Sequence, residues 1–163
     1  MQGTTVELSE ESYKEHVIPA KINLLARLEE AEEAYNILKN MLTNISLHPQ
    51  PGDSEITPSF EGNQGIQGVT AGIAEMLLQS HGGIIQLLPA LPAEWPDGHV
   101  NGLYARGGFV VGIKWKNNQL VSAIVYSSQG EPCSVKYKDK TIDIPNLEPG
   151  REYSFDYRLN CDF

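Results

Sequence analysis

In this chain of 163 residues, carboxylate and imidazole side chains, which move protons in many active sites, occur close in sequence to amide side chains, which can hydrogen-bond to a substrate or water. The members of this polar cluster are Glu55, Glu61, Asn63, Gln64, Gln67, Glu75 and His81. Glu61 stands beside Gly62 and Asn63 in the sequence. One interpretation is that a tight turn holds the Glu61 carboxylate and that the glycine lets the backbone approach a ligand. The same residue types are also typical of an exposed turn, so both interpretations stay open.

Other residues with catalytic or binding chemistry have ordinary structural explanations. Glu75 lies in an apolar stretch and is expected on the exposed face of an amphipathic helix. His81 is expected to end a helix as a favourable C-terminal cation. Trp95 and Trp115 are expected as core or interface anchors, although Trp95 also remains a candidate platform for stacking a sugar.

Helices are predicted on both sides of a long loop. Apolar residues recur at helical spacing through residues 19–44, which predicts a pair of amphipathic helices. Residues 48–68 are rich in proline and glycine and show no sustained period, which indicates a loop of the length that is often functional. A third helix is predicted to start near Thr70 and to stop at Gly82 and Gly83. Most of the polar cluster therefore lies in a loop or at its exit.

Beyond residue 99 the pattern is that of β-strands. Six segments are rich in Val, Ile, Tyr and Phe and are separated by turn residues: 100–106, 109–116, 119–127, 132–138, 141–144 and 151–157. They predict an antiparallel meander or sandwich. The predicted fold class is α+β, with a short bundle of about three helices followed by an antiparallel β-sandwich-like domain. The predicted division is a helical segment at 1–83, a linker at 84–98 and a β domain at 99–163.

Composition excludes several classes of function. The formal net charge of -9 repels polyanions and no basic stripe offsets it, so no nucleic acid partner is expected. No apolar run reaches the roughly 18–20 residues of a membrane span, and no signal region is evident at the N-terminus. Motifs for hydrolase triads, zincins, phosphate loops and dinucleotides are absent, and no cofactor or metal is expected. Cys133 and Cys161 lack metal or redox spacing, which favours two unpaired thiols over a disulfide.

Several short motifs follow one another in a fixed order. They are Glu61-Gly62-Asn63-Gln64-Gly65, the run from Thr70 to His81, Leu87-Leu88-Pro89-Ala90-Leu91-Pro92, Trp95-Pro96-Asp97-Gly98, and Gly102-Leu103 with Ala105-Arg106-Gly107-Gly108-Phe109. With the helix at residues 21–28, this series closely resembles the C-terminal end of glycoside hydrolase family 95, the inverting α-L-fucosidases. The resemblance covers most of residues 20–116.

The resemblance implies a multidomain enzyme in which an (α/α)6 barrel carries the active site and a C-terminal β domain packs against it. In the family, asparagine side chains handle the attacking water, supported by an aspartate just before a Gly-Asn pair; the matching position here is Glu61, with Asn63 as a weaker neighbour. Two departures stand out, since glutamate replaces aspartate and Gln64 replaces an aromatic residue. The family's nearby histidine is also missing, with Glu55 or a neighbour in its place. The extra methylene of glutamate moves the carboxylate by about 1.5 Å, and misplacements of about 1 Å can cost on the order of 100-fold in rate.

The predicted function is therefore the C-terminal part of a glycoside hydrolase that acts on L-fucosyl, related L-sugar or galactosyl glycans. The general acid and water-positioning asparagines of the family come from earlier barrel segments, which predicts no activity for this chain alone. The alternatives are a non-catalytic sugar-binding domain and a structural β domain that caps a barrel. The structural alternative predicts an exposed apolar helical face and self-association. A full-length family member is expected to be secreted or periplasmic.

Overall fold

The computed structural model describes residues 17–43 and 63–162 of the chain. Within this part, three helices precede nine strands. The helices are α1 (Ile18–Arg27), α2 (Ala31–Thr43) and α3 (Asn63–Leu77). The strands are β1 (Leu78–Gln79), β2 (Ile84–Leu87), β3 (Gly98–Ala105), β4 (Phe109–Lys116), β5 (Gln119–Ser127), β6 (Cys133–Tyr137), β7 (Lys140–Ile144), β8 (Arg151–Asp156) and β9 (Cys161–Asp162). This arrangement confirms the predicted α+β class.

Helices α1 and α2 form the predicted amphipathic pair. Pro19 lies in the first turn of α1, where its missing N–H costs no helical hydrogen bond. Glu32 and Glu33 lie in the first turn of α2, where the helix dipole favours negative charge. Between the two helices, Glu29 adopts a positive φ of 62° that reverses the chain. None of the described helices is long and apolar enough to cross a membrane.

Helix α3 differs from its predicted bounds at both ends. It begins at Asn63, so the last residues of the predicted loop are helical. It ends at Leu77 because Leu78 and Gln79 leave the helix and pair with β2. Gly82 and Gly83, expected to cap the helix, instead have φ values of 69° and 78° in the turn between β1 and β2.

The strands form two sheets that pack face to face. One sheet has the order β1-β2-β6-β7 and the other β3-β4-β5-β8-β9. All pairs are antiparallel except β2 with β6, which are parallel. The six predicted strands correspond to β3 through β8, with ends that differ by at most two residues. Ile84–Leu87, which lies in the predicted linker, forms β2 because Ile85 and Leu87 bury their side chains in the sandwich.

Two hydrophobic cores lie side by side. The helical core is built around Ile22, Ala26, Leu38 and Met76, and the sandwich core contains the inward residues of both sheets. Ile73 and Trp95 pack against both cores. They therefore join the helical segment to the sandwich.

Candidate functional site

The predicted site residues Glu61 and Asn63 lie at or just before the start of α3 in the sequence. Glu61 lies outside the described residues, as does Glu55, so their predicted roles stay predictions. Asn63 is the first residue of α3, although its side chain is not described. Gln67 lies exposed in the second turn of the helix. Helix α3 starts seven residues earlier than the apolar pattern indicates, and Glu61 lies two residues before its first residue in the sequence.

Two glycines set the position of α3 against α1. A Cβ on Gly68 would lie 2.5 Å from Cβ of Pro19, and one on Gly72 would lie 2.7 Å from Cγ2 of Ile22. Neither position has room for a side chain, so glycine permits the close approach of the two helices. The Asn23 amide then donates hydrogen bonds to the carbonyl oxygens of Pro19, at 2.8 Å, and of Gly68, at 3.0 Å. The segment that follows Glu61 is thus anchored by packing and by a side-chain link.

Glu75 has a structural partner. Arg27 of α1 donates from Nε to Oε2 at 3.3 Å and from Nη2 to Oε1 at 3.2 Å. The hydrogen bonds to Glu75, followed by the charge of its carboxylate, raise the pKa of Arg27. Only 26% of the Glu75 side chain is exposed, so it is a partly buried link between helices rather than the exposed residue expected from the sequence.

Gln79 is a buried polar residue that the sequence analysis does not single out. It is 3% exposed, and its amide donates to the carbonyl oxygens of Ala26, at 2.7 Å, and Glu75, at 3.1 Å. These bonds tie the end of α1 to the junction of α3 and β1. A polar residue directly after the apolar Leu77 and Leu78 is the one local sign of this role.

The surroundings of His81 and Trp95 do not match those of a catalytic or sugar-binding residue. His81 lies exposed in the link between β1 and β2, not at a helix end. The ring of Trp95 packs edge-on against Tyr35 of α2, with centroids 5.9 Å apart and planes at 81°. The Trp95 carbonyl accepts a hydrogen bond from Nε1 of the buried Trp115 at 2.9 Å. Trp95 is therefore an interface anchor between the two cores and does not present an open sugar platform.

Cys133 and Cys161 are not joined in a disulfide, as the cysteine spacing favours. Cys133 is buried, which raises the pKa of its thiol to about 11; electrostatic repulsion from Cys161 is the second, smaller cause. A thiol with this pKa is protonated at neutral pH and is a poor nucleophile. No group of three or more His, Cys, Asp or Glu side chains suited to a metal occurs in residues 17–43 and 63–162.

Two clefts of similar size open on the sandwich. The first, of about 370 Å³, lies at one end between the strand connections; its polar lining consists of Ser80, Arg106, Gln129 and Glu131. The second, of about 360 Å³, lies on the outer face of the five-stranded sheet; its polar lining consists of His99, Asn101, Lys114 and Ser122. An inverting glycosidase needs two carboxyl groups about 6.5–9.5 Å apart. Neither cleft has more than one carboxylate, so neither supports that reaction.

Comparison with known proteins finds similarity to a glycoside hydrolase family and to a protein described as an alpha-L-fucosidase. The family model described as "Glycoside hydrolase family 95, C-terminal domain" matches residues 79–156, which run from β1 to the end of β8. Alpha-L-fucosidase 2 of Arabidopsis thaliana is 35% identical over an alignment of 150 residues, which covers 86% of this chain. The alignment covers 18% of that relative, so the chain spans less than a fifth of its length.

Proposed function

We propose that this chain, which belongs to glycoside hydrolase family 95, serves an α-L-fucosidase-like enzyme as the part that supports and completes a helical catalytic domain. The observation that carries the proposal is the 35% identity to an alpha-L-fucosidase across 86% of the chain. The described fold supports the same assignment, because helices α1 to α3 precede a β-sandwich whose strands β2 to β8 lie within the residues that match the family's C-terminal domain.

The outer side of the helices supports a role as one layer of a larger helical domain. Leu24 in α1 is 58% exposed and Leu28, the residue directly after α1, is 61% exposed. Leu42 in α2 is 49% exposed. Large apolar side chains on an outer face are suited to packing against further helices. An (α/α)6 barrel would supply such helices, and its active site would then lie next to the segment that precedes α3.

Glu61 is the proposed contribution of this chain to catalysis. It matches the family's supporting carboxylate just before a Gly-Asn pair, and Asn63 is its proposed neighbour. The substrate class is an L-fucosyl, related L-sugar or galactosyl glycan. The isolated chain is proposed to be inactive, because neither cleft of the described sandwich brings two carboxylates together.

A chimaera tests the proposal. In it, this chain replaces the aligned segment of the Arabidopsis relative, and release of L-fucose and of galactose is measured for the chimaera and for the isolated chain. We expect turnover by the chimaera only. Glu61→Ala should lower its kcat by about 100-fold, and Glu61→Asp should raise kcat because it shortens the side chain to that of the family aspartate.

The isolated chain serves as the critical control for this experiment. Turnover of a fucosyl or galactosyl substrate by the purified chain, lost on Glu61→Ala, would overturn the proposed inactivity. A chimaera that folds but is equally active with Glu61 and with Ala at position 61 would remove the role of Glu61.

The exposed helical face has its own test. We propose that the isolated chain self-associates through Leu24 and Leu28, because nothing in the described part of the chain covers them. Sedimentation should show concentration-dependent association that the double variant Leu24→Ser, Leu28→Ser abolishes. Val121→Ser on the sandwich, where Val121 is 41% exposed, is the matched control and should leave association intact. A strictly monomeric parent chain would contradict the proposal.

A further inference from the structure

The outer face of the five-stranded sheet carries a groove whose polar groups are unused. Its polar lining consists of His99, Asn101, Lys114 and Ser122, and none of these four side chains takes part in a hydrogen bond or ion pair with the described residues. Elsewhere in the sandwich, polar side chains are hydrogen-bonded to one another. For example, the Ser134 hydroxyl donates to Oδ1 of Asp143 at 2.6 Å. The groove therefore presents donors and acceptors that a ligand could satisfy.

Gly112 keeps this groove open. It lies opposite Ile124 of β5 in the sheet register, on the same outward face as Lys114. A Cβ on Gly112 would come within 2.7 Å of Oδ1 of Asn101, and its nearest backbone atom would be 3.7 Å away. A side chain at this position would project into the space between β3 and β5. Glycine here leaves a cleft of about 360 Å³, within the range of about 300–1,000 Å³ of small-ligand sites.

Two tyrosines extend the groove along the sheet. Tyr104 and Tyr126 face outward on either side of Val110, because both pair with Val110 in the register. Val110 is two positions before Gly112 on β4, a separation of about 7 Å along a strand. Tyr104 is 85% exposed and has no ring partner among the described residues. Polar hydrogen-bonding groups thus lie beside an open aromatic ring.

We infer that this groove binds an oligosaccharide. Sugar rings present an apolar face of C–H groups and a rim of hydroxyls, so they suit an aromatic ring placed beside amide, hydroxyl and ammonium groups. Asn101, Ser122 and Lys114 offer hydrogen bonds to the hydroxyls, and Tyr104 offers its ring to the next sugar along. The choice of a saccharide rests on the proposed function, since a domain of a glycoside hydrolase is held close to glycans. The groove is lined by residues of β3, β4 and β5, whereas Glu61 precedes α3 in the sequence.

Amide chemical shifts and calorimetry on the purified chain test the inference. The probes are cellotetraose, β-1,4-linked galactotetraose and xylotetraose, each titrated to saturation where binding occurs. We expect at least one of them to shift the amide resonances of Asn101, Gly112 and Ser122 in a saturable way. Tyr104→Ala should weaken that binding about tenfold, and Tyr104→Phe should retain it because the ring remains.

Two further variants separate binding from folding. Gly112→Val fills the groove with a residue that favours strands, so it should abolish binding without lowering Tm. Asn101→Ala should weaken binding about tenfold, whereas its control Asn146→Ala, at an exposed position after β7, should not. The inference is overturned if no probe shifts the groove resonances, or if Gly112→Val binds like the parent chain. These results do not bear on the hydrolysis test with the chimaera, so the two proposals fail separately.

Discussion

The β-sandwich buries apolar side chains between two sheets, whereas the helices bury theirs on one side only. Along β4, Phe109, Val111, Ile113 and Trp115 alternate inward and are 0–7% exposed. Along α1, Ile22 and Ala26 are fully buried, while leucines on the other side are more than half exposed. The sandwich therefore has a closed core, whereas one face of the helical segment is not covered by residues 17–43 or 63–162.

The largest difference between the two regions is expected from truncating a buried aromatic residue. Phe155 on β8 is 1% exposed, and Phe155→Ala should lower the free energy of unfolding by about 3–5 kcal/mol. Leu24→Ala on the outer face of α1 should change it by less than about 0.5 kcal/mol. Chemical denaturation measures both. Equal losses would mean that the outer face of α1 is buried in solution.

The junction between the regions is the next target. Trp95→Ala removes the ring that packs on Tyr35 and on both cores, which should cost about 2 kcal/mol because the site is only partly buried. Amide hydrogen exchange should accelerate in α1 and α2 and stay slow in β4 and β5. Trp95→Phe, which keeps a ring, should have a smaller effect. Equal acceleration in β4 and β5 would show that the sandwich depends on the helices.

A smaller effect is expected within the helical layer, at the ion pair of Arg27 and Glu75. A double-mutant cycle with Arg27→Gln and Glu75→Gln should give a coupling of about 0.5–1 kcal/mol, which salt reduces. The matched control is Lys21 with Glu33, at 3.9 Å and with both side chains more than half exposed. Its coupling should be close to zero. A larger coupling for the control would contradict the role of the two hydrogen bonds from Arg27.

The smallest effect on stability is expected at Asp156, the last residue of β8, and it depends on pH. Asp156 Oδ1 accepts from the backbone N–H of Asn160 and of Arg158, each at 2.8 Å. The Asn160 backbone hydrogen bond is the largest cause of a lowered pKa for Asp156. A lowered folded pKa means that the stabilisation is present above the ordinary value of about 3.9 and is lost as pH falls through the folded pKa.

The measurement is Tm against pH for the parent chain and Asp156→Ala. The variant should melt earlier at neutral pH, and the gap should narrow as the pH falls below the ordinary range of aspartate. Asp139→Ala, in the turn between β6 and β7, is the control, because the Asp139 carboxylate accepts no hydrogen bond within the described part of the chain. A gap that stays constant down to acid pH would show that the carboxylate charge is not responsible.

Local sequence patterns were sufficient to predict most strands and the pair of helices α1 and α2. Asn117 and Asn118, for example, adopt positive φ values of 52° and 55° in the turn between β4 and β5, as expected for asparagines between two alternating strands. The start of α3 was not predictable in this way. Its glycines resemble a loop in the sequence, but Gly68 and Gly72 are there because α1 packs against them.

The candidate site was also predictable from the sequence only in part. The assignment of Glu61 and Asn63 came from the resemblance to a family, and their roles stay predictions. Arg27, which binds Glu75, lies 48 residues away in the chain, and Ala26, one of the two partners of Gln79, lies 53 residues away, so no local period indicates these contacts. The groove around Gly112 depends on three adjacent strands in register, so no single segment reveals it.

The sequence by itself determined the α+β class, most strand bounds and the resemblance to a glycoside hydrolase family, because each depends on local patterns or on ordered motifs. Only the tertiary structure decided that residues 84–87 form a strand, that Trp95 joins two cores and that Leu24 of α1 lies exposed on the outer side of the described helices. These features arise from contacts between residues far apart in the chain, whose free energy of burial and pairing is absent from any local segment.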